Sequence, residues 1–211
     1  MSSAAPSQLP AAEPAHAARA SDLLERLAAA APDERVSLGQ IVDVLGERAF
    51  GLVLLILALP CAIPFLYGVP QVFSLPMVFV ATQILIGRQT LWLPDPMRAR
   101  TIRRDDLRAL AARGGPWLRR LELLARPRLS ALSSRVAEKL FGLAMVIASL
   151  SILTPLPLTN TVPAIGVAVL SIGMIEKDGL LMLAGTAIAL VWIGFLALAG
   201  TTVIAFLFSF L

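Results

Sequence analysis

Charge is absent from three blocks of the chain, residues 49–87, 140–175 and 180–211. Apolar runs inside them cover residues 49–63, 72–87, 140–153, 162–175 and 180–199, which is fifteen, sixteen, fourteen, fourteen and twenty residues. At a helical rise of 1.5 Å the first four reach roughly 21–24 Å, against a hydrocarbon core of about 30 Å. Only the fifth is long enough to span a bilayer comfortably, and an apolar tail follows Gly200.

The short runs form two pairs. Each pair is joined by an uncharged, proline-rich linker, "PFLYGVPQ" and "TPLPLTNT". A loop facing water would carry charge. The pattern therefore predicts two hairpins of broken or re-entrant helices, interrupted at Pro60, Pro64, Pro70, Pro76, Pro155, Pro157 and Pro163. Irregular backbone at membrane depth is tolerated only where protein or a wet cavity satisfies it. The expected fold is an all-α integral membrane protein. It has two repeated hairpins, a basic amphipathic linker between them and a C-terminal transmembrane helix.

The two hairpin blocks resemble each other. "ERAFGLVLLILALPCAIP" (47–64) aligns with "EKLFGLAMVIASLSILTP" (138–155) at a constant offset of 91, with seven of eighteen positions identical. Apolar composition alone would match some leucines, but not Glu47 with Glu138, Phe50-Gly51 with Phe141-Gly142 and Pro64 with Pro155. Internal repeats of this kind build many transporters.

Charge divides the remainder. Residues 1–19 read as a disordered tail. Residues 20–48 read as two short amphipathic helices, on the membrane surface or packed on the protein. The first hairpin takes residues 49–94, a basic cytoplasmic linker 95–139, the second hairpin 140–177 and the C-terminal span 178–211. The linker holds twelve Arg or Lys against five Asp or Glu. The positive-inside rule puts it in the cytoplasm. Arg48, Arg88, Lys139 and Lys177 bracket the hairpins, so each hairpin starts and ends on that side and the repeats run parallel. Leucines interleave the linker's arginines, which suits an anionic lipid surface rather than nucleic acid.

Composition agrees. Hydrophobic residues make up 57% and charged residues 15% of the 211, where soluble domains carry about 25% charged residues. The one histidine, His16, lies in the tail, and the one cysteine, Cys61, lies in an apolar run. A disulfide framework, a Cys/His metal cluster and a Ser-His-Asp triad are thereby set aside. No metal or cofactor is expected, and an enzyme is not, because the uncharged core offers no acid-base pair.

The segments "LGERAFGLVLLILALP", "LIGRQTLWLP", "TPLPLTNTVPA" and "IEKDGLL" together resemble the ExoD family of exopolysaccharide-synthesis membrane proteins, over about residues 36–200. The Pro155, Pro157, Asn160, Pro163 spacing, followed by Asp178-Gly179, carries most of the resemblance. It implies a bacterial inner-membrane protein of exopolysaccharide production and names no reaction.

Candidate site residues follow from polarity at depth. Asn160, the only asparagine, sits between Thr159 and Thr161 at the second hairpin tip, beside a helix N-terminus that could hold an anion. The same groups could equally cap their own broken backbone. Gln71 and Gln83 are amides in the first hairpin; they could bond a neighbouring helix or line a cavity. Arg48, Arg88 and Lys139 are either topological anchors or recruit a lipid phosphate. Two functions stay open: a flippase-like carrier of a lipid-linked saccharide or polyprenyl phosphate, or a non-catalytic scaffold of a synthesis or export complex. Membrane lipids with anionic headgroups are expected partners. A homodimer would supply mass that four short segments lack.

Overall fold

The computed structural model describes residues 35–66, 68–103, 134–154 and 159–208, with side chains through Thr202, and single positions at 105, 106, 108, 109, 112 and 116. The chain is mostly helical. In order, the described elements are β1 (Arg35–Ser37), α1 (Leu38–Leu45), α2 (Arg48–Cys61), α3 (Val69–Leu85), α4 (Asp95–Arg98), β2 (Thr101–Arg103), α5 (Arg135–Leu153), α6 (Thr161–Glu176) and α7 (Gly179–Phe208).

Two helices are long and apolar enough to cross a membrane by length and composition, α5 with 19 residues and Gly179–Thr202 of α7 with 24. The expectation of one such helix is therefore corrected. Ser134 caps α5 by accepting from the Ala137 amide at 3.3 Å, so the helix begins at Arg135 and takes in Glu138 and Lys139 before the apolar run. Helix α7 likewise runs straight through Gly200 into the tail.

Prolines interrupt less than expected. Pro76 lies within α3 and does not end it, while Pro60 is the penultimate residue of α2, which closes at Cys61. A helix-interior proline removes one i→i−4 bond and costs about 3 kcal/mol. Here packing carries the helix past it, with Met77 next to it fully buried. Pro70 sits in the first turn of α3, where the missing N–H has no intrahelical partner to lose. Pro163 is likewise near the start of α6. The break in the first hairpin is the turn at 62–65, which contains Pro64 and has Phe65 at φ 66°. Pro155 and Pro157 lie outside the described residues, as do the tail and the first of the two N-terminal helices.

The pairing of helices is crosswise. Helix α2 packs on α6 and α3 on α5, while α6 carries the most extensive contact, with α7. Glycines set these crossings. A Cβ at Gly51 would stand 2.8 Å from the Ser171 carbonyl and from Ile175, and one at Gly142 would stand 2.6 Å from the Leu85 amide. Gly173 meets Met182, and Gly166 and Gly185 face each other across α6 and α7. Gly194 has nothing within 4 Å among the described residues, so it brings none of them into close approach.

A small cap covers the charged end of α2. Strands β1 and β2 pair antiparallel, with Val36 opposite Ile102, an addition to a fold read as wholly helical. Ser37 and Gln40 form a capping box on α1, at 2.9 and 3.1 Å. Val42 and Leu45 of α1 are buried in the main core, and Asp43 pairs with Arg98. The second N-terminal helix thus packs on the protein through these residues.

Candidate functional site

The starts of α2 and α5 and the ends of α3 and α6 come to one end of the bundle, where they enclose a cavity of about 120 Å³. Its charged lining is Glu47, Arg88, Arg135, Glu138, Lys139 and Lys177, over an apolar floor that includes Phe50, Ile84 and Met174. The arrangement follows from helix ends. Glu47 is the N-cap residue of α2 and Glu138 lies in the first turn of α5, where the partial positive charge of the helix favours carboxylates. Lys177 lies at the opposite pole of its helix, while Lys139 stands beside Glu138 at the start of α5. Lys177 takes the left-handed conformation that closes α6, and its ammonium stands 3.3 Å from the Glu47 carboxylate. Both side chains are about two-fifths exposed, so the pair contributes only about 0–1 kcal/mol. Lys139 crosses Gly87, the left-handed residue that closes α3; a Cβ there would stand 2.8 Å from Lys139 Cε.

The two helix ends close in the same way. The Arg88 amide donates to the Gln83 carbonyl at 3.0 Å and the Asp178 amide to the Gly173 carbonyl at 2.9 Å, each a six-to-one bond around a left-handed residue. Asp178 is buried and caps the next helix, accepting from the Leu180 and Leu181 amides at 2.9 and 3.3 Å. The Asp-Gly pair of the sequence is thus the joint between α6 and α7.

Beside the charged cavity, a groove of about 540 Å³ runs along the outer side of α3 and α5. Leu75, Phe79, Trp92, Leu150 and Leu153 form most of its wall, with Phe79 and Trp92 rings 5.8 Å apart at 58°. Arg88 lines both the groove and the cavity. Gln83 also reaches the groove, but its amide is engaged. Gln83 Nε2 donates to the Trp92 carbonyl at 3.2 Å, and Oε1 accepts from the Trp92 amide at 2.8 Å. This amide ties the segment after α3 back onto its own helix. Gln83→Leu removes both part-buried bonds to the Trp92 backbone and is expected to cost about 1–3 kcal/mol, read as a lower midpoint of thermal unfolding in detergent. An unchanged midpoint would refute that role.

The other predicted residues lie elsewhere. Asn160 is the N-cap residue of α6 but makes no side-chain capping bond. Thr159 Oγ1 lies 3.5 Å from Asn160 Oδ1, and the Thr159 carbonyl accepts from Trp192 Nε1 at 3.1 Å. Thr161 opens α6, and Gln71 lies in the first turn of α3. None of the four lines the cavity or the groove. Gln71 Oε1 and Ser149 Oγ are buried without a hydrogen-bond partner among the described residues. Arg48 opens α2 next to Glu47, and of the predicted cations the cavity brings together Arg88, Lys139 and Lys177. Arg135 and Gly87 were not predicted. Gly87 could have been found as the glycine that ends an apolar run just before a cation.

The profile described as "Exopolysaccharide synthesis, ExoD" matches residues 20–198. An uncharacterized protein of Synechocystis is 36% identical over 152 residues, covering 71% of this chain and 72% of its own. Protein ExoD of Rhizobium meliloti is 30% identical over 170 residues, covering 78% of this chain and 70% of its own. No solved structure matches.

Proposed function

The chain belongs to the ExoD family, and from that membership we propose a multi-pass protein of the bacterial cytoplasmic membrane that acts in exopolysaccharide synthesis as a non-enzymatic carrier. The cargo is a lipid-linked saccharide or polyprenyl phosphate. The observation that carries this reading is the gathering of charged helix ends at one pole of a bundle that is otherwise uncharged. A pole of this kind sits at a membrane surface and, by its cations, on the cytoplasmic side.

The apolar stretch shared by the two hairpins then falls short of a full span, although α5 counted from Arg135 is long enough to cross. Helix α7 starts at the charged pole and reaches the second hairpin tip at Trp192, which holds Thr159. That distance is about 20 Å at helical rise, short of a core of about 30 Å. Helix α7 continues to Phe208. The first tip exposes Ile63 and Phe65, the latter 72% accessible. Such side chains suit hydrocarbon rather than water. Two copies of one hairpin unit explain the paired Glu47 and Glu138, the matching closures at Gly87 and Lys177, and the crosswise packing.

Deletion of the gene in its own host tests the proposal. A carrier predicts that exopolysaccharide falls while lipid-linked precursor accumulates in the membrane. Loss of polymer without precursor build-up, together with co-purification of a synthesis enzyme that Arg103→Glu abolishes, would replace it by the scaffold reading.

A further inference from the structure

We propose that the charged cavity and the apolar groove are two halves of one site for a single-chain lipid phosphate. The phosphate binds among Arg88, Lys139 and Arg135, and the chain lies along α3 and α5. The inference rests on the carrier reading and gives it a location, at the charged pole rather than at the Asn160 tip.

Arg88 is the joint. It lines both spaces, so a phosphate held by its guanidinium stands at the end of the groove. The cavity holds four cations against two carboxylates, an excess of two positive charges. One carboxylate, Glu47, is already taken by Lys177. Lys139 is held in place, because its chain lies on the one backbone position without a Cβ at the end of α3. A cavity of about 120 Å³ is roomy enough for a phosphate group.

The groove asks for an apolar occupant. Apart from Arg88, its polar members are satisfied within the protein. Thr82 donates to the Val78 carbonyl at 2.7 Å, and both Gln83 groups are held by Trp92. Leu75, Phe79, Thr82 and Ile86 follow one another along a single stripe of α3. The stripe is about 16 Å long at helical rise. One stripe accommodates one chain, which separates an isoprenyl or alkyl phosphate from a two-chain phospholipid.

Purified full-length protein in a non-ionic detergent is titrated with geranylgeranyl phosphate, geranylgeraniol, inorganic phosphate and dioleoyl phosphatidic acid. The expected result is that geranylgeranyl phosphate binds at least about tenfold more tightly than each of the other three, the step that one charge-assisted contact supports. R88Q with K139Q, and separately L150W, which fills the groove from an exposed position, should each weaken it by about tenfold or more while the unfolding midpoint stays unchanged. Equal binding of the alcohol overturns the phosphate half, equal binding of inorganic phosphate overturns the groove half, and equal binding of phosphatidic acid overturns the single chain. Native mass spectrometry of the same preparations separates the two levels. A polyprenyl phosphate retained by wild type and by all these variants, but lost in N160A, overturns this location and leaves the carrier reading standing.

Discussion

Leucine at Gly185 is expected to leave no folded protein. Helices α6 and α7 form the most extensive contact of the bundle and meet backbone to backbone. A Cβ at Gly185 would stand 2.4 Å from the Leu170 amide nitrogen and 2.6 Å from the Gly166 carbonyl. These are main-chain atoms of a packed helix and cannot rotate away. One turn on, Ala189 meets Gly166 in the same way, at 2.8 Å, a small-xxx-small contact of the kind that joins helices in bilayers by close packing. Overpacking costs about 1–3 kcal/mol where side chains can give way. Here the whole of α7 must move off, so the loss exceeds that range. Gly194→Leu, nine residues further on the same helix, meets nothing among the described residues and is expected to stay within about 0.5 kcal/mol of wild type. The measurement is detergent-soluble yield with thermal unfolding of both variants. Equal behaviour of the two would refute the α6–α7 crossing.

The pattern of charge makes the outline of this fold legible, because helix ends that meet water are polar while the apolar stretches between them need not be. Arg88, Lys139 and Lys177 were assigned to one side from that pattern alone, and the cavity has them together. What the pattern could not supply was the crosswise pairing. Periodicity names the apolar faces of α2 and α3 without saying which helix each will meet. Only the closeness of Gly51 to Ile175 and of Gly142 to Leu85 decides it.

Proline was over-read for a related reason. Intrinsic cost marks Pro60 and Pro76 as breaks, but tertiary packing offsets one missing hydrogen bond at Pro76, which sits inside α3, while α2 closes one residue after Pro60. The β1–β2 pair was illegible because three residues carry too little alternation, and its partners lie far apart in sequence. Gln83 was seen as a polar residue with some partner. That the partner is the backbone of Trp92, nine residues on, follows from the close of α3 at Gly87 and not from any periodicity. The polar tip drew attention to Asn160 because it is conspicuous in sequence. The charged pole assembles from residues spread between Glu47 and Lys177, which no local motif reveals.

Gly51→Leu and Gly142→Leu are expected to be matched lesions, each abolishing stable folding by prising one hairpin from the other. The two glycines stand at equivalent places in "ERAFGL" and "EKLFGL", and each lies against the last turn of the second helix of the opposite hairpin. Counted from the left-handed residues that close those helices, Gly87 and Lys177, the touched residues Leu85 and Ile175 occupy the same position. A side chain at either glycine would thus strike a main chain at less than 3 Å, each where one hairpin meets the other. If two copies of one unit built this bundle, the unfolding midpoints of Gly51→Ala and Gly142→Ala, the mildest changes that test the contact, should fall together by amounts that agree to within about 1 kcal/mol, inside the about 1–3 kcal/mol expected of overpacking. A large loss at one position beside none at the other would mean that the hairpins pack by unrelated interfaces, and the likeness of their sequences would then reflect only the apolar composition both share.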